Sequence, residues 1–285
     1  MDQEQTIRDA VRQGYAAIAQ SGGAGCAPSC CGGSGDDNAT TLAQAVGYEA
    51  GELAELPEGA NMGLSCGNPT ALASLRPGET VLDLGSGGGF DVFIAGRKVG
   101  PEGMAIGVDM TPEMLAKARK NAQAYRERTG LDNTAFRLGE IEHLPVPDNS
   151  VDVIISNCVI NLSPDKPQVW REMARVLKPG GRVAVSDLAL RRELPPAIVE
   201  MVEALVGCVA GAVTIAENEA MATAAGLEAV TLTEKPGFIE AMTEVNDPLY
   251  AQVLAALPEG TTAADYIVSL DISARKPAAE TSNGR

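Results

Sequence analysis

The stretch that decides the fold is VLDLGSGGGF, residues 81–90. A short apolar run is followed at once by a glycine-rich turn and then by a helical pattern. The glycines let the backbone turn tightly and approach a ligand without clashes from Cβ atoms, and the following helix presents unpaired N–H groups. The stretch therefore predicts a strand of an α/β sheet with a nucleotide-like ligand bound at its carboxyl end.

Strand and helix patterns alternate from this point to about residue 190. The predicted strands cover residues 80–84, 104–109, 133–138, 151–156 and 182–188, and the predicted helices cover about 88–98, 112–129 and 165–177. Repeated βα units predict a Rossmann-like α/β fold, a mostly parallel sheet with helices on both faces. We expect an N-terminal helical and cysteine-rich loop segment over residues 1–60, the sheet domain over 61–190, and a C-terminal α+β capping region over 191–285.

Composition excludes several classes of function. The 285 residues carry a formal net charge of −16, so a nucleic-acid partner is not expected. The sequence shows neither a signal peptide nor an apolar run of about eighteen residues, which predicts a cytoplasmic protein without a membrane partner. In such a reducing compartment the six cysteines are better suited to metal binding or reaction than to a structural framework.

Two acidic residues indicate the kind of ligand at the glycine turn. Asp109 ends the next predicted strand, where a carboxylate can accept hydrogen bonds from ribose hydroxyls. Asp83 stands two residues before the first glycine and suits a ligand with positive charge, and Phe90 replaces the third glycine of a dinucleotide site. Together they indicate S-adenosylmethionine, whose amino acid end and sulfonium are cationic. The predicted cofactor-binding residues are Asp83, Gly85, Gly87, Asp109, Met110, Ile141, Glu142 and Asn157.

Three cysteines stand apart from the loop that carries Cys26, Cys30 and Cys31. Cys158 follows the apolar strand in VDVIISNCVINL, residues 151–162, where ligands of α/β sheets bind. Cys66 comes just before a helix predicted to begin at Pro69 with Asn68 as N-cap, and the helix dipole favours a thiolate there. Cys208 lies in a helical region after the fifth strand. Each of these thiols is equally compatible with a small buried apolar residue.

The motifs DLGSGGG, GVDMTPEML, NSVDVIISN and RVLKPGG, in this order and spacing, resemble a class I methyltransferase domain that uses S-adenosylmethionine, over about residues 70–190. More narrowly, CGNPTALASL, DMTPEMLAKAR and SNCVINLSPDK resemble the arsenite S-adenosylmethionine methyltransferases. That resemblance implies that Cys66, Cys158 and Cys208 hold trivalent arsenic facing the methyl donor. Soft thiolate ligands suit such a thiophilic centre.

The resemblance also implies a reaction and its partners. Arsenite, or its conjugate with a thiol, would be methylated at arsenic, and thioredoxin or glutathione would reduce a protein disulfide formed afterwards. Cys30 or Cys31 would capture arsenic and pair with Cys66 in a disulfide. The family usually has glycine where this chain has Ser65, and serine would be strained there if the position required a positive φ.

Two other functions stay open at this stage. The chain could be a class I C- or O-methyltransferase of a small molecule whose cysteines merely pack. It could also be a metalloid-binding protein without turnover. Thiol titration in the presence of arsenite distinguishes the first alternative from an arsenite methyltransferase. Binding of arsenite and S-adenosylmethionine without methyl transfer would indicate the second.

Overall fold

A seven-stranded sheet forms the centre of the described part of the chain. The computed structural model describes residues 3–20, 36–201, 204, 206, 208–235, 237–239, 252–253 and 255–279. The strands are β1 (Thr80–Leu84), β2 (Met104–Asp109), β3 (Thr134–Leu138), β4 (Val151–Asn157), β5 (Leu177–Leu190), β6 (Glu228–Lys235) and β7 (Ile267–Arg275). Their order is β3-β2-β1-β4-β5-β7-β6, with β1 to β5 parallel and β7 antiparallel to both neighbours.

Helices connect the strands and precede them. They are α1 (Gln3–Gln20), α2 (Asp36–Ala45), α3 (Ala50–Ala54), α4 (Pro69–Ala73), α5 (Phe90–Val99), α6 (Pro112–Thr129), α7 (Lys166–Val176), α8 (Pro196–Val199) and α9 (Ile215–Ala224). Local signals set several ends: Asp165 accepts the N–H of Gln168 at the start of α7, and Gly130 ends α6 with a φ of +70°. The predicted strands and helices are confirmed, and β5 is longer than predicted at both ends.

The core lies on both faces of the sheet. On one face α7 packs through the fully buried Trp170 and Met173, and α9 packs beside it. On the other face α4 and α5 cover β1 and β4. Because both faces are covered, β4 has a continuous buried run, Val153 to Ile155, instead of alternating apolar and polar residues. This confirms the Rossmann-like α/β arrangement predicted from the sequence.

The region after residue 190 completes the same sheet. β7 pairs with β5 from Arg182↔Arg275 to Leu190↔Ile267, and β6 pairs with the other edge of β7. The boundary predicted at residue 190 therefore does not divide the sheet, and the three-part division stays a prediction. In the part of the chain that the structure describes, no helix is long and apolar enough to cross a membrane.

Candidate active site

A cleft lies at the carboxyl ends of β1, β2 and β4, where the order of strands reverses along the chain. It is lined by Cys158 and by seven of the predicted cofactor residues, namely Gly85, Gly87, Asp109, Met110, Ile141, Glu142 and Asn157. The first glycine is required by geometry, because its φ is +68° and an added Cβ would collide with the side chain of Val159. The structure thus brings these sequence-predicted residues together.

Asp83, the remaining predicted cofactor residue, is buried close to the cleft beside two other carboxylates. Burial raises the pKa of Asp83 well above its usual value, and the charges of Asp91 and Asp109 raise it further. The Asp109 carboxylate accepts the N–H of Gly87 at 2.9 Å and that of Thr111 at 2.8 Å, which ties the glycine turn to the end of β2. This concentration of acids suits a cationic group.

Glu142 is buried, with 4% of its surface exposed. Its carboxylate accepts the hydroxyl of Ser163 at 2.6 Å and lies 3.6 Å from Nε of Arg8. Arg8, Val11 and Tyr15 of α1 line the cleft, and sequence reasoning missed all three. Their spacing of three and four residues places them on one face of α1, which is the signal that could have found them.

The three cysteines implied by the resemblance lie together. Cys66 and Cys158 are joined as a disulfide with their Cα atoms 6.0 Å apart, and the thiol of Cys208 donates to the carbonyl oxygen of Cys158 at 2.7 Å. Burial raises the pKa of the Cys208 thiol well above its usual value, and the charge of Asp187 adds to this. Cys158 lines the cleft. Cys30 and Cys31 lie outside the described residues, so their pairing with Cys66 stays a prediction.

Local structure explains how Cys66 is held. Asn68 caps α4 by accepting the N–H of Ala71 at 2.9 Å, and Pro69 is the first helical residue, as predicted. Gly67 lies so close to Ser186 on β5 that a Cβ would not fit. Ser65 has no positive φ, so the expected strain at this position is absent.

Asp187 is a site residue that the sequence analysis did not predict. One of its carboxylate oxygens and the sulfurs of Cys66 and Cys158 all lie within 4.8 Å of one another. Burial raises the pKa of Asp187 to about 6, against hydrogen bonds from the backbone N–H groups of Leu188 and Asn161. The signal was available, because Asp187 lies near the carboxyl end of β5, next to β4, whose end carries Cys158.

Comparisons with known proteins show that this chain is similar to methyltransferases. A family model described as a methyltransferase domain matches residues 75–235. An arsenite methyltransferase from Halobacterium salinarum is 44% identical over 97% of this chain and 68% of its own length. One from Aquipseudomonas alcaligenes is 50% identical, but over 42% of this chain and 36% of its own length.

Solved structures of methyltransferases also resemble this chain. An arsenic(III) S-adenosylmethionine methyltransferase from Chlamydomonas reinhardtii is 32% identical, with a TM-score of 0.59 over 85% of this chain and 74% of its own. A phosphoethanolamine N-methyltransferase from Haemonchus contortus, solved with S-adenosyl-L-methionine, has a TM-score of 0.59 over 83% of this chain and 59% of its own. At 19% identity the second likeness concerns the fold alone.

Proposed function

Because this chain belongs to the arsenite methyltransferase family, we propose that it transfers methyl groups from S-adenosylmethionine to trivalent arsenic held by cysteine thiolates. Its fold is the Rossmann-like class I methyltransferase fold. The observation that carries the proposal is that Cys66, Cys158 and Cys208 lie in one cluster and that Cys158 of this cluster lines the cleft. The products are methylated arsenicals.

The residues of the cleft fit S-adenosylmethionine, which supplies an electrophilic methyl group on a sulfonium when bound. The backbone at Gly85 and Gly87 turns with positive φ, so that a ligand can approach the main chain closely. The buried carboxylate of Asp83 provides the negative charge that a cationic amino acid end requires, and that of Asp109 can accept hydrogen bonds from ribose hydroxyls. We propose that these residues bind the cofactor together with Met110, Ile141, Glu142 and Asn157.

Cys66, Cys158 and Cys208 would hold arsenite, or its conjugate with a thiol, through three sulfurs. Three-coordinate arsenic keeps a lone pair, and that lone pair is the nucleophile. The protein therefore needs no general base at the moment of attack, because the thiols lose their protons earlier, when they take up the metalloid. This suits a chain with one histidine, His143.

The Cys66–Cys158 disulfide must be reduced before arsenic can bind to these two residues. We propose thioredoxin or glutathione as the reductant and the cytoplasm as the location of the protein. Methyl transfer then requires the arsenic, the methyl carbon and the sulfonium to lie in line in a site from which water is excluded. We propose that residues 191–285, which supply Cys208, cap the metalloid, and that residues 1–60 and 61–190 form the cysteine-rich segment and the cofactor domain.

The test is product speciation after the reduced protein is incubated with arsenite, S-adenosylmethionine and glutathione. Wild-type protein is expected to form methylated arsenicals, and Cys158→Ser is expected to lose nearly all of this activity because a two-thiol site holds arsenic poorly. Binding of S-adenosylmethionine by Cys158→Ser, measured by calorimetry, is the control for its folding. Full activity in Cys158→Ser would contradict the scheme. Binding of both ligands without any methyl transfer would instead indicate a metalloid-binding protein.

A further inference from the structure

A hydrogen-bonded side-chain amide holds the backbone of Cys66. Asn157, the last residue of β4, accepts the N–H of Cys66 on its Oδ1 at 3.1 Å and donates from its Nδ2 to the carbonyl oxygen of Gly67 at 3.0 Å. On the far side, the hydroxyl of Ser269 donates to the carbonyl oxygen of Cys66 at 2.9 Å. Since Cys158 directly follows Asn157, the amide fixes the distance between the two cysteine-bearing segments.

Two buried side chains orient this amide. Tyr48 donates its hydroxyl to Oδ1 of Asp91 at 2.7 Å, and the Nδ2 of Asn157 donates to the Tyr48 oxygen at 3.0 Å and to Oδ2 of Asp91 at 3.2 Å. Because the hydroxyl oxygen of Tyr48 and Oδ2 of Asp91 accept hydrogen bonds from the NH₂ group, that group faces them and the amide oxygen faces the N–H of Cys66. Tyr48 is 3% exposed and Asp91 5% exposed, so water does not compete for these bonds.

The hydrogen bonds among Tyr48, Asp91 and Asn157 lie next to the glycine-rich turn. Asp91 lies in the first turn of α5, directly after the glycine-rich turn, and Tyr48 packs edge-on against Phe90 with ring centroids 4.8 Å apart. Among the described residues, Asn157 lines the cleft but Tyr48 and Asp91 do not. The two side chains therefore act through Asn157 and do not contact the space that the ligands would occupy.

We propose that Tyr48 and Asp91 are positioning residues that lock the Asn157 amide and thereby hold Cys66 beside Cys158. This inference rests on the proposed function for its purpose, since a preorganised pair of thiols binds arsenic without first ordering the chain. It also predicts how readily Cys66 and Cys158 form their disulfide, and this equilibrium can be measured without any methyl transfer.

The matched control for Tyr48 is Tyr125. Both tyrosines are buried, both pack against a phenylalanine, and the hydroxyl of Tyr125 donates to Oδ1 of Asn133 at 3.0 Å. Tyr48→Phe and Tyr125→Phe each remove one buried hydroxyl that is hydrogen-bonded. A merely structural role for Tyr48 would give the two variants the same properties apart from a loss of stability.

The first measurement is the dithiol–disulfide equilibrium of Cys66 and Cys158 in a glutathione redox buffer, with the other four cysteines replaced by serine. Closing the disulfide removes two protons and two electrons from the thiols, and oxidised glutathione accepts them. In Tyr48→Phe the equilibrium constant for closure is expected to fall about tenfold, a reduction potential about 30 mV more positive, because Cys66 is held less firmly. Tyr125→Phe is expected to match the tyrosine-bearing protein.

Asp91→Asn is the second variant, in case Tyr48→Phe does not fold. It replaces one of the two accepting carboxylate oxygens by an NH₂ group, so either the Tyr48 hydroxyl or the Asn157 amide loses its acceptor, and the same constant is expected to fall about tenfold. An unchanged constant in a folded Tyr48→Phe or Asp91→Asn, or an equal fall in Tyr125→Phe, would overturn the inference.

The second measurement is steady-state methylation of arsenite by the protein with all its cysteines. Tyr48→Phe is expected to raise KM for arsenite about tenfold, with a smaller rise in KM for S-adenosylmethionine because Asn157 also lines the cofactor cleft. A change confined to the cofactor would make Tyr48 a cofactor-positioning residue and overturn the inference. If wild-type protein forms no methylated product, the proposed function fails, and the redox equilibrium still decides the role of Tyr48.

Discussion

Cys158 and Cys208 both have their backbones in the left-handed region, with φ of +54° and +64°. A residue with a side chain is disfavoured there by about 1–2 kcal/mol, and such residues concentrate at functional sites. Hydrogen bonds fix both residues, because the N–H of Cys158 donates to the carbonyl oxygen of Ser186 and the thiol of Cys208 donates to that of Cys158. The unusual backbone thus brings the two sulfur-bearing residues to one point.

Gly85 gives a prediction at the same scale. Gly85→Ala should abolish measurable binding of S-adenosylmethionine, because the added Cβ collides with Val159 and the turn must move away from the ligand. Gly130→Ala is the matched control, since its φ of +70° imposes similar backbone strain but its Cβ would meet nothing within 4 Å among the described residues. Gly130→Ala should lose about 1–2 kcal/mol of stability in urea unfolding, and Gly85→Ala should lose more because of the collision with Val159.

Calorimetric titration with S-adenosylmethionine distinguishes the two glycine variants. Gly130→Ala is expected to bind like wild type and Gly85→Ala is not. Normal binding by Gly85→Ala would mean that the glycine turn does not contact the cofactor.

At the scale of elements, α1 covers the cofactor cleft in a way that periodicity did not predict. The helix itself follows from its apolar spacing, but its docking depends on partners far away in the chain. Val11 is fully buried in a cluster with Cys66, Leu162 and Cys208, and the hydroxyl of Tyr15 donates to the carbonyl oxygen of Val206 at 3.3 Å. One helix therefore contacts both the cleft and the segment that carries Cys208.

Arg8 provides a test of this cover. Its guanidinium lies 3.6 Å from Glu142 and 3.7 Å from Glu140, and its side chain is 15% exposed. Arg8→Ala leaves the buried Glu142 carboxylate with fewer partners and loosens α1, so we expect S-adenosylmethionine to bind about fivefold more weakly, roughly 1 kcal/mol. The comparison is Arg12→Ala, whose side chain is 35% exposed and contacts Glu140 and Asp9, and which should change the affinity by less than twofold.

Equilibrium dialysis with labelled cofactor measures both constants. Equal affinities in the two arginine variants would show that α1 does not contribute to the cofactor site.

Local patterns predicted the elements well and the contacts between them poorly. The βα units from β1 to β5 were predicted to within a few residues at most ends because each has strong periodicity and its own turn residues. The glycine turn, Asp83 and Asp109 were predicted as cofactor residues because their chemistry is local, and that role stays a prediction. The grouping of the cysteines came from family resemblance, since nothing in spacing brings Cys208 to Cys158. Tyr48 and Asp187 were missed because their roles depend on partners from other elements.

At the scale of the whole molecule, buried carboxylates set the dependence of stability on pH. Burial raises the pKa of Asp91 and of Asp187 to about 6 each, and it raises that of Asp83 as well. In the opposite direction, and against burial, hydrogen bonds from arginine side chains lower the pKa of Glu79 and of Glu172. Protonation of the two groups of acids therefore changes the stability of the protein in different ranges of pH.

The signs follow from proton binding. A carboxyl with a raised pKa holds a proton in the folded protein that the unfolded chain has released, so its contribution to stability is lost as pH rises from about 4 to about 6. A carboxyl with a lowered pKa contributes stability above its unfolded pKa near 4.5, and that stability is lost as pH falls further. The ligand-free protein should therefore be most stable at mildly acidic pH.

We expect a higher Tm at about pH 5.5 than at about pH 7.5, measured by calorimetry without ligands. Reduced repulsion within a chain of net charge −16 acts in the same direction. Asp187→Asn removes one buried ionisation, so the difference in Tm between the two pH values should become smaller in that variant. Saturating S-adenosylmethionine should also reduce the difference if its cationic end binds beside Asp83 as proposed, because a cation there stabilises the ionised carboxylate. A Tm that falls on acidification to pH 5.5 would mean that these carboxylates are already ionised and paired in the free protein.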